Sequence, residues 1–134
     1  MNRAYLSSAI EGLVSRVGYE FQLDDESCYP TTVCRYPAAF LSQPEFLSME
    51  GRNRGKIAYK VTLRLAKQGA KLSPQERNAL LASMEEQLVE VFVKLSQTER
   101  VAMVENLEIK PQSPIVDNHG AVAMVATAKV VTIF

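Results

Sequence analysis

The residues with chemical potential are few. His119 is the only histidine, and it sits in Asp117-Asn118-His119-Gly120, a turn composition. A lone imidazole could act as a base or a metal ligand, but the bland reading, a loop histidine, fits this setting better. A serine nucleophile needs a positioned base, and one histidine leaves little to build a triad from. Neither usual glycine-rich phosphate loop occurs, and the H-x-E and C-x-x-C patterns of zinc hydrolases and deaminases are missing. Cys28 and Cys34 are the only cysteines, with no histidine near them. That spacing is poor for zinc, so they read as reduced thiols, with a local disulfide as the alternative.

Two charged clusters remain. Asp24, Asp25 and Glu26 form an acidic run without the alternating oxygen-ligand spacing of a calcium loop. They read as a solvated turn. Arg52, Arg54 and Lys56 lie in Gly51-Arg52-Asn53-Arg54-Gly55-Lys56, the expected tip of a hairpin. Such cations could touch phosphates or an acidic neighbour, or simply keep a loop soluble. No aromatic side chains interleave with them, so a stacking platform for single-stranded nucleic acid is unsupported. The expectation is a protein that is not an enzyme, with no catalytic, cofactor-binding or metal-binding residues. The two clusters are the candidate interface residues.

The whole chain is consistent with that expectation. At 134 residues it has the usual size of one domain, here 1–134. Such a domain needs no disulfide or metal to hold a core. Its 15 basic and 15 acidic residues balance. A neutral chain has no general attraction for nucleic acid or anionic membranes and little charge repulsion against its own copies. No apolar run approaches the roughly 20 residues that span a bilayer. The N-terminal Met1-Asn2-Arg3-Ala4-Tyr5-Leu6 lacks the pattern of a secretion signal, so an intracellular origin is expected.

Periodicity supplies the elements. Leu6, Ile10, Leu13, Val14 and Val17 make one apolar stripe, predicting a helix over 3–17 that stops at Gly18. Tyr19 to Leu23 alternates as a short strand. Pro37 marks a strand start or edge, leading into Phe40 and Leu41, and 45–49 is expected to continue that strand beyond a bulge. The clearest strand covers 56–66: Ile57, Tyr59, Val61, Leu63 and Leu65 share one face, and Lys60, Thr62 and Arg64 the other. Ser73-Pro74-Gln75-Glu76 is a helix start, with a capping serine, proline at the first helical position and glutamate three residues on. The stripe from Leu80 to Leu95 carries that helix forward. In 104–110 alternation places Val104 on the face opposite Leu107 and Ile109. The nearly apolar stretch 121–134 predicts a strand buried on both faces, within the domain or at an interface. This order argues for an α+β fold: a mostly antiparallel sheet with the N-terminal helix and one long helix packed on one face.

The pattern resembles the tail-terminator (minor tail protein U) family of long-tailed bacteriophages and related tail-completion proteins. The resemblance runs through the helix ending at Gly18, the acidic turn, the strand entry Tyr36-Pro37-Ala38-Ala39-Phe40-Leu41 and the alternating strand from Ile57 to Leu65. The capped helix from Ser73 and the closing hairpin to Phe134 complete it. It implies a homo-oligomeric ring, typically of six subunits, that caps the phage tail tube and helps join it to head-connector proteins. It also implies a phage or prophage origin, cytoplasmic during assembly and in the virion tail afterwards, with no cofactor, membrane or sequence-specific nucleic-acid partner. The basic loop 51–56 departs from the family pattern. Two alternatives stay open: a host-encoded, non-catalytic interaction module, and a small ligand-binding domain or enzyme with an unreadable site.

Overall fold

The strand predicted over 56–66 is the spine of the sheet in the computed structural model, which describes residues 2–23, 37–51, 55–68, 72–111 and 121–134. Among the described residues the elements follow in the order α1 (Asn2–Arg16), β1 (Glu20–Leu23), β2 (Ala38–Leu41), β3 (Glu45–Gly51), β4 (Gly55–Gln68), α2 (Pro74–Ser96), β5 (Val101–Pro111) and β6 (Ala121–Ile133). The sheet order is β1-β2-β4-β6-β5, with β3 also paired to β4. Every pairing is antiparallel except β1 with β2. The expected α+β fold is what forms.

Alternation in β4 sorts its side chains as predicted. Tyr59, Val61, Leu63 and Leu65 are buried beneath the helices, joined from β6 by Val122, Met124, Ala126, Ala128 and Val130. From α1 come Leu6, Ile10, Leu13 and Val14, and from α2 come Met84, Leu88, Val91, Phe92 and Leu95. Both helices therefore bury their apolar stripes on one face of the sheet. α1 ends as glycine allows. Gly18 has φ +91°, its N–H donates to Ser15 O at 3.1 Å, and the Tyr19 N–H reaches back to Val14 O at 3.0 Å. At the start of α2, Ser73 Oγ accepts the Glu76 N–H at 3.2 Å and Pro74 opens the helix.

β2 and β3 lie end to end along the same edge of β4, as the strand-beyond-a-bulge reading expected. Leu41 opposes Leu63 and Glu45 opposes Lys60, so four steps on one chain match three on the other. Pro44, which lacks an N–H, sits in that interruption. A second slip falls between Phe46 and Ser48, around Leu47.

Two expectations need correction. Val104 does not oppose Leu107 and Ile109; all three pack against the main core. The register of β5 on β6 slips between Glu105 and Glu108, and Asn106 there takes φ +56°. The slip inserts a residue and reverses the parity that simple alternation would keep. Asparagine is among the few side chains that accept this conformation readily. Burial of β6 on both sides holds only in part: on the second face Ala123 and Val131 are buried and Val125, Thr127 and Lys129 half-buried, but Ile133 is exposed. The even-numbered residues of β6 face the helices, whereas Ala123, Val125, Thr127, Lys129, Val131 and Ile133 face away from them. Ala123 joins Ala38, Phe40 and Ala66 in a small cluster on this second face.

Candidate assembly surface

Of the six charged residues singled out in the sequence, the structure describes Lys56. Arg52, Arg54, Asp24, Asp25 and Glu26 lie outside the described residues, as do Cys28, Cys34 and His119. Lys56 is exposed and directly opposes Glu50 across the β3–β4 pair.

Two glycines shape the end of this pair. Gly51 has φ +99°, a left-handed conformation that costs glycine little. At Gly55 a Cβ would stand 1.8 Å from the Glu50 carbonyl oxygen, so only glycine fits so close an approach. Gly55 also exchanges backbone hydrogen bonds with Phe134, at 3.0 and 3.4 Å. The base of the hairpin is thus held from the opposite strand.

The strand β3 is the anomaly. All seven of its residues are exposed, including Phe46 at 55%, Leu47 at 47% and Met49 at 54%. Among the described residues it pairs only with β4, which leaves its outer backbone edge open. Phe46 leans edge-on against Tyr59, with ring centroids 6.4 Å apart and planes at 84°. The Arg3 guanidinium stands 5.9 Å from the same Tyr59 ring. Edge strands are usually blunted by charge, by proline or by bulges. Here Pro44 and the slip at Leu47 interrupt the edge and Glu45 and Glu50 put charge on it, yet three large apolar side chains stay in water. Periodicity could not reveal this, because these residues do not alternate cleanly.

A second exposed apolar pair lies on the outer side of α2. Val89 and Val93 are 42% and 49% exposed, one turn apart, with exposed Glu85, Glu86 and Glu90 around them. Glu90 pairs with Lys94 at 2.8 Å.

The sheet face away from the helices is ordered in rows. Glu45 opposes Lys60, Lys60 opposes Lys129, and Lys129 opposes Glu105. Lys129 Nζ meets Glu105 Oε2 at 3.5 Å. The neighbouring row, Ser48, Ala58, Val131 and Met103, lines a half-enclosed groove together with Glu50, Lys56, Lys129 and Glu105. Arg64 lies over the Phe40 ring at 4.7 Å.

Among the described residues, the helix side holds one strongly shifted group. The Tyr19 hydroxyl is pushed up to about 12 by burial, and it donates to Gln87 Oε1. Among the described residues, no cluster of three or more His, Cys, Asp or Glu is placed to hold a metal. No described helix is long and apolar enough to cross a membrane. Among the described residues, the exposed features are the outer edge of β3, the valine pair on α2 and a charged sheet face. No family model matches the sequence, and no curated protein matches it.

Proposed function

We propose that the protein is a non-catalytic assembly subunit of tail-completion type, similar to the phage tail terminators, which forms a ring at the head-proximal end of a tail tube. The observation that carries the reading is β3: three large apolar side chains on a strand whose seven residues are all exposed. Exposed apolar groups concentrated on one element mark an interaction surface. The α+β element order supports the same reading through its resemblance to the tail-terminator pattern. In the sequence, Arg52, Arg54 and Lys56 follow β3 as a basic run, and Asp24, Asp25 and Glu26 are the acidic run proposed to meet them on a neighbouring copy. A ring closes through head-to-tail contacts between two different patches.

Native mass spectrometry and sedimentation velocity of the purified chain, across concentration, test the reading. A closed oligomer of defined size, seen as rings by negative-stain microscopy, is the expected result. A chain that stays monomeric alone and with purified tail tubes would remove it.

The groove lined by Ala58, Val131 and Met103 favours a second reading, a small-ligand module. It is only half enclosed, which fits a small ligand less well than a buried cleft would.

A further inference from the structure

Resting on the self-assembly reading, we propose that β3 of one copy is paired by β5 of an adjacent copy, an added antiparallel strand that joins the two sheets edge to edge. The two strands lie at opposite edges of the sheet. Among the described residues β3 pairs only with β4, and β5 only with β6. Their free backbone groups are in phase. Gly55 and Phe134 exchange both backbone hydrogen bonds, which fixes the alternation across the sheet. Even positions of β4 therefore bond toward β3, and odd positions of β6 toward β5. Phe46 and Met49, opposite Tyr59 and Ile57, turn their N–H and C=O outward, and so does Ile109, opposite Ala126. Leu107 has the same phase as Ile109. All four side chains lie on the helix side: Leu107, Ile109 and Ile57 pack against the core, Met49 opposes Ile57, and Phe46 leans on Tyr59.

Direction and face agree as well. β3 is antiparallel to β4, β4 to β6 and β6 to β5, so β3 and β5 of one subunit run in opposite senses. Rotation about an axis along the strands preserves that relation and keeps the helices on one side of the joined sheet. The contact is then head-to-tail and can close a ring. β1 sets the register. It pairs outside β2, in the lane that an incoming strand would enter on passing Glu45. β5 ends at Pro111, which has no N–H. The fit is therefore Lys110 opposite Glu45, Ile109 opposite Phe46 and Leu107 opposite Met49, with Leu47 as the extra residue of its slip. Registers that set Glu108 or Glu105 opposite Glu45 pair like charges and are disfavoured. Past Met49, the bulge at Asn106 bends β5 away. Phe46 and Met49, in water on a lone subunit, thereby gain apolar cross-strand partners.

Cysteine cross-linking of the full chain tests the pairing. Glu45 and Lys110 would form a non-hydrogen-bonded pair with Cα atoms roughly 4.5 Å apart, within disulfide reach. Glu45→Cys and Lys110→Cys are made separately, each with Cys28→Ser and Cys34→Ser, and circular dichroism checks that each folds; Cys28→Ala and Cys34→Ala replace a serine background that does not. Oxidised as a mixture, the two should give a covalent dimer with one copy of each, which neither gives alone. Ser48→Cys with Glu108→Cys, the next such pair, should link as well, and Ser48→Cys with Lys110→Cys should not. A mixture that stays unlinked while the wild type assembles overturns this pairing and leaves self-assembly standing. Lys110→Cys linked to itself points to β5 against β5, and Glu45→Cys linked to itself to β3 against β3; either overturns the proposal. A wild-type chain that assembles neither alone nor on tail tubes overturns both the pairing and the reading beneath it.

Discussion

The Tyr19 hydroxyl donates a 2.5 Å hydrogen bond to Gln87 Oε1, tying the residue just after α1 to the middle of α2. Lys67 Nζ lies 5.3 Å from the centre of the same ring. The phenol is otherwise packed in the core. It therefore anchors two helices and the end of β4 at one point. Tyr19→Phe should cost about 1 kcal/mol, the net worth of an ordinary hydrogen bond. Chemical denaturation with an unchanged midpoint would show that the bond contributes nothing.

The same residue sets an alkaline limit. Burial holds its folded-state pKa near 12, against 10.0 for a free tyrosine. Folding favours the neutral phenol, so this contribution is whole below pH 10 and falls as pH rises toward 12. Wild type should lose stability over that window more steeply than Tyr19→Phe. Parallel curves of unfolding free energy against pH would contradict the assignment.

Asn2 is buried, and its Nδ2 donates to Thr132 Oγ1 at 3.0 Å, while Thr132 donates onward to Ile57 O at 2.9 Å. The chain of bonds fastens the start of α1 to β6 and β4. Asn2→Ala should cost about 1–3 kcal/mol by leaving buried polar groups short of partners. A double-mutant cycle with Thr132→Val should show coupling. Strictly additive losses would mean that the two side chains act independently.

Leu63 is fully buried on the helix side of β4, and Arg64 stacks on Phe40 on the other side. Leu63→Ala should cost about 2–5 kcal/mol through lost burial and the cavity left behind. Arg64→Ala should cost about 1 kcal/mol, the scale of a partly exposed cation–π contact. Equal losses in thermal unfolding would count against this division of faces.

Ser73→Ala should cost about 1 kcal/mol, because it removes the acceptor for the Glu76 N–H. Ser73→Asp should keep that stability, since aspartate caps as well and favours a helix N-terminus. Similar melting temperatures for wild type and the alanine variant would argue that water replaces the cap at no cost.

These predictions rest on features of unequal visibility in the sequence. β4 and α2 were legible because each keeps a strict period over many residues, and Ser73-Pro74 announces its own cap. The parity of β5 was not. A bulge adds a residue without changing composition, and Asn106 is its only local sign. Asn2 gave no signal, since its partner lies 130 positions away and the contact exists only once the sheet closes. For the candidate interface, the sequence pointed to charge. Exposure of Phe46, Leu47 and Met49 emerges only from pairing, because an apolar run beside a proline reads equally well as core.

The row Glu45, Lys60, Lys129, Glu105 also constrains how this surface can change. Two lysines stand directly opposite each other, an unfavourable pairing in a sheet that the flanking glutamates offset. The four positions therefore behave as one quartet. Glu105→Lys alone would leave three adjacent cations in line, whereas reversing all four signs would preserve the balance. Effects measured singly in this row should not add. Sequence drift here would have to pass through compensated pairs, so any redesign of the face must treat the quartet as its smallest exchangeable unit.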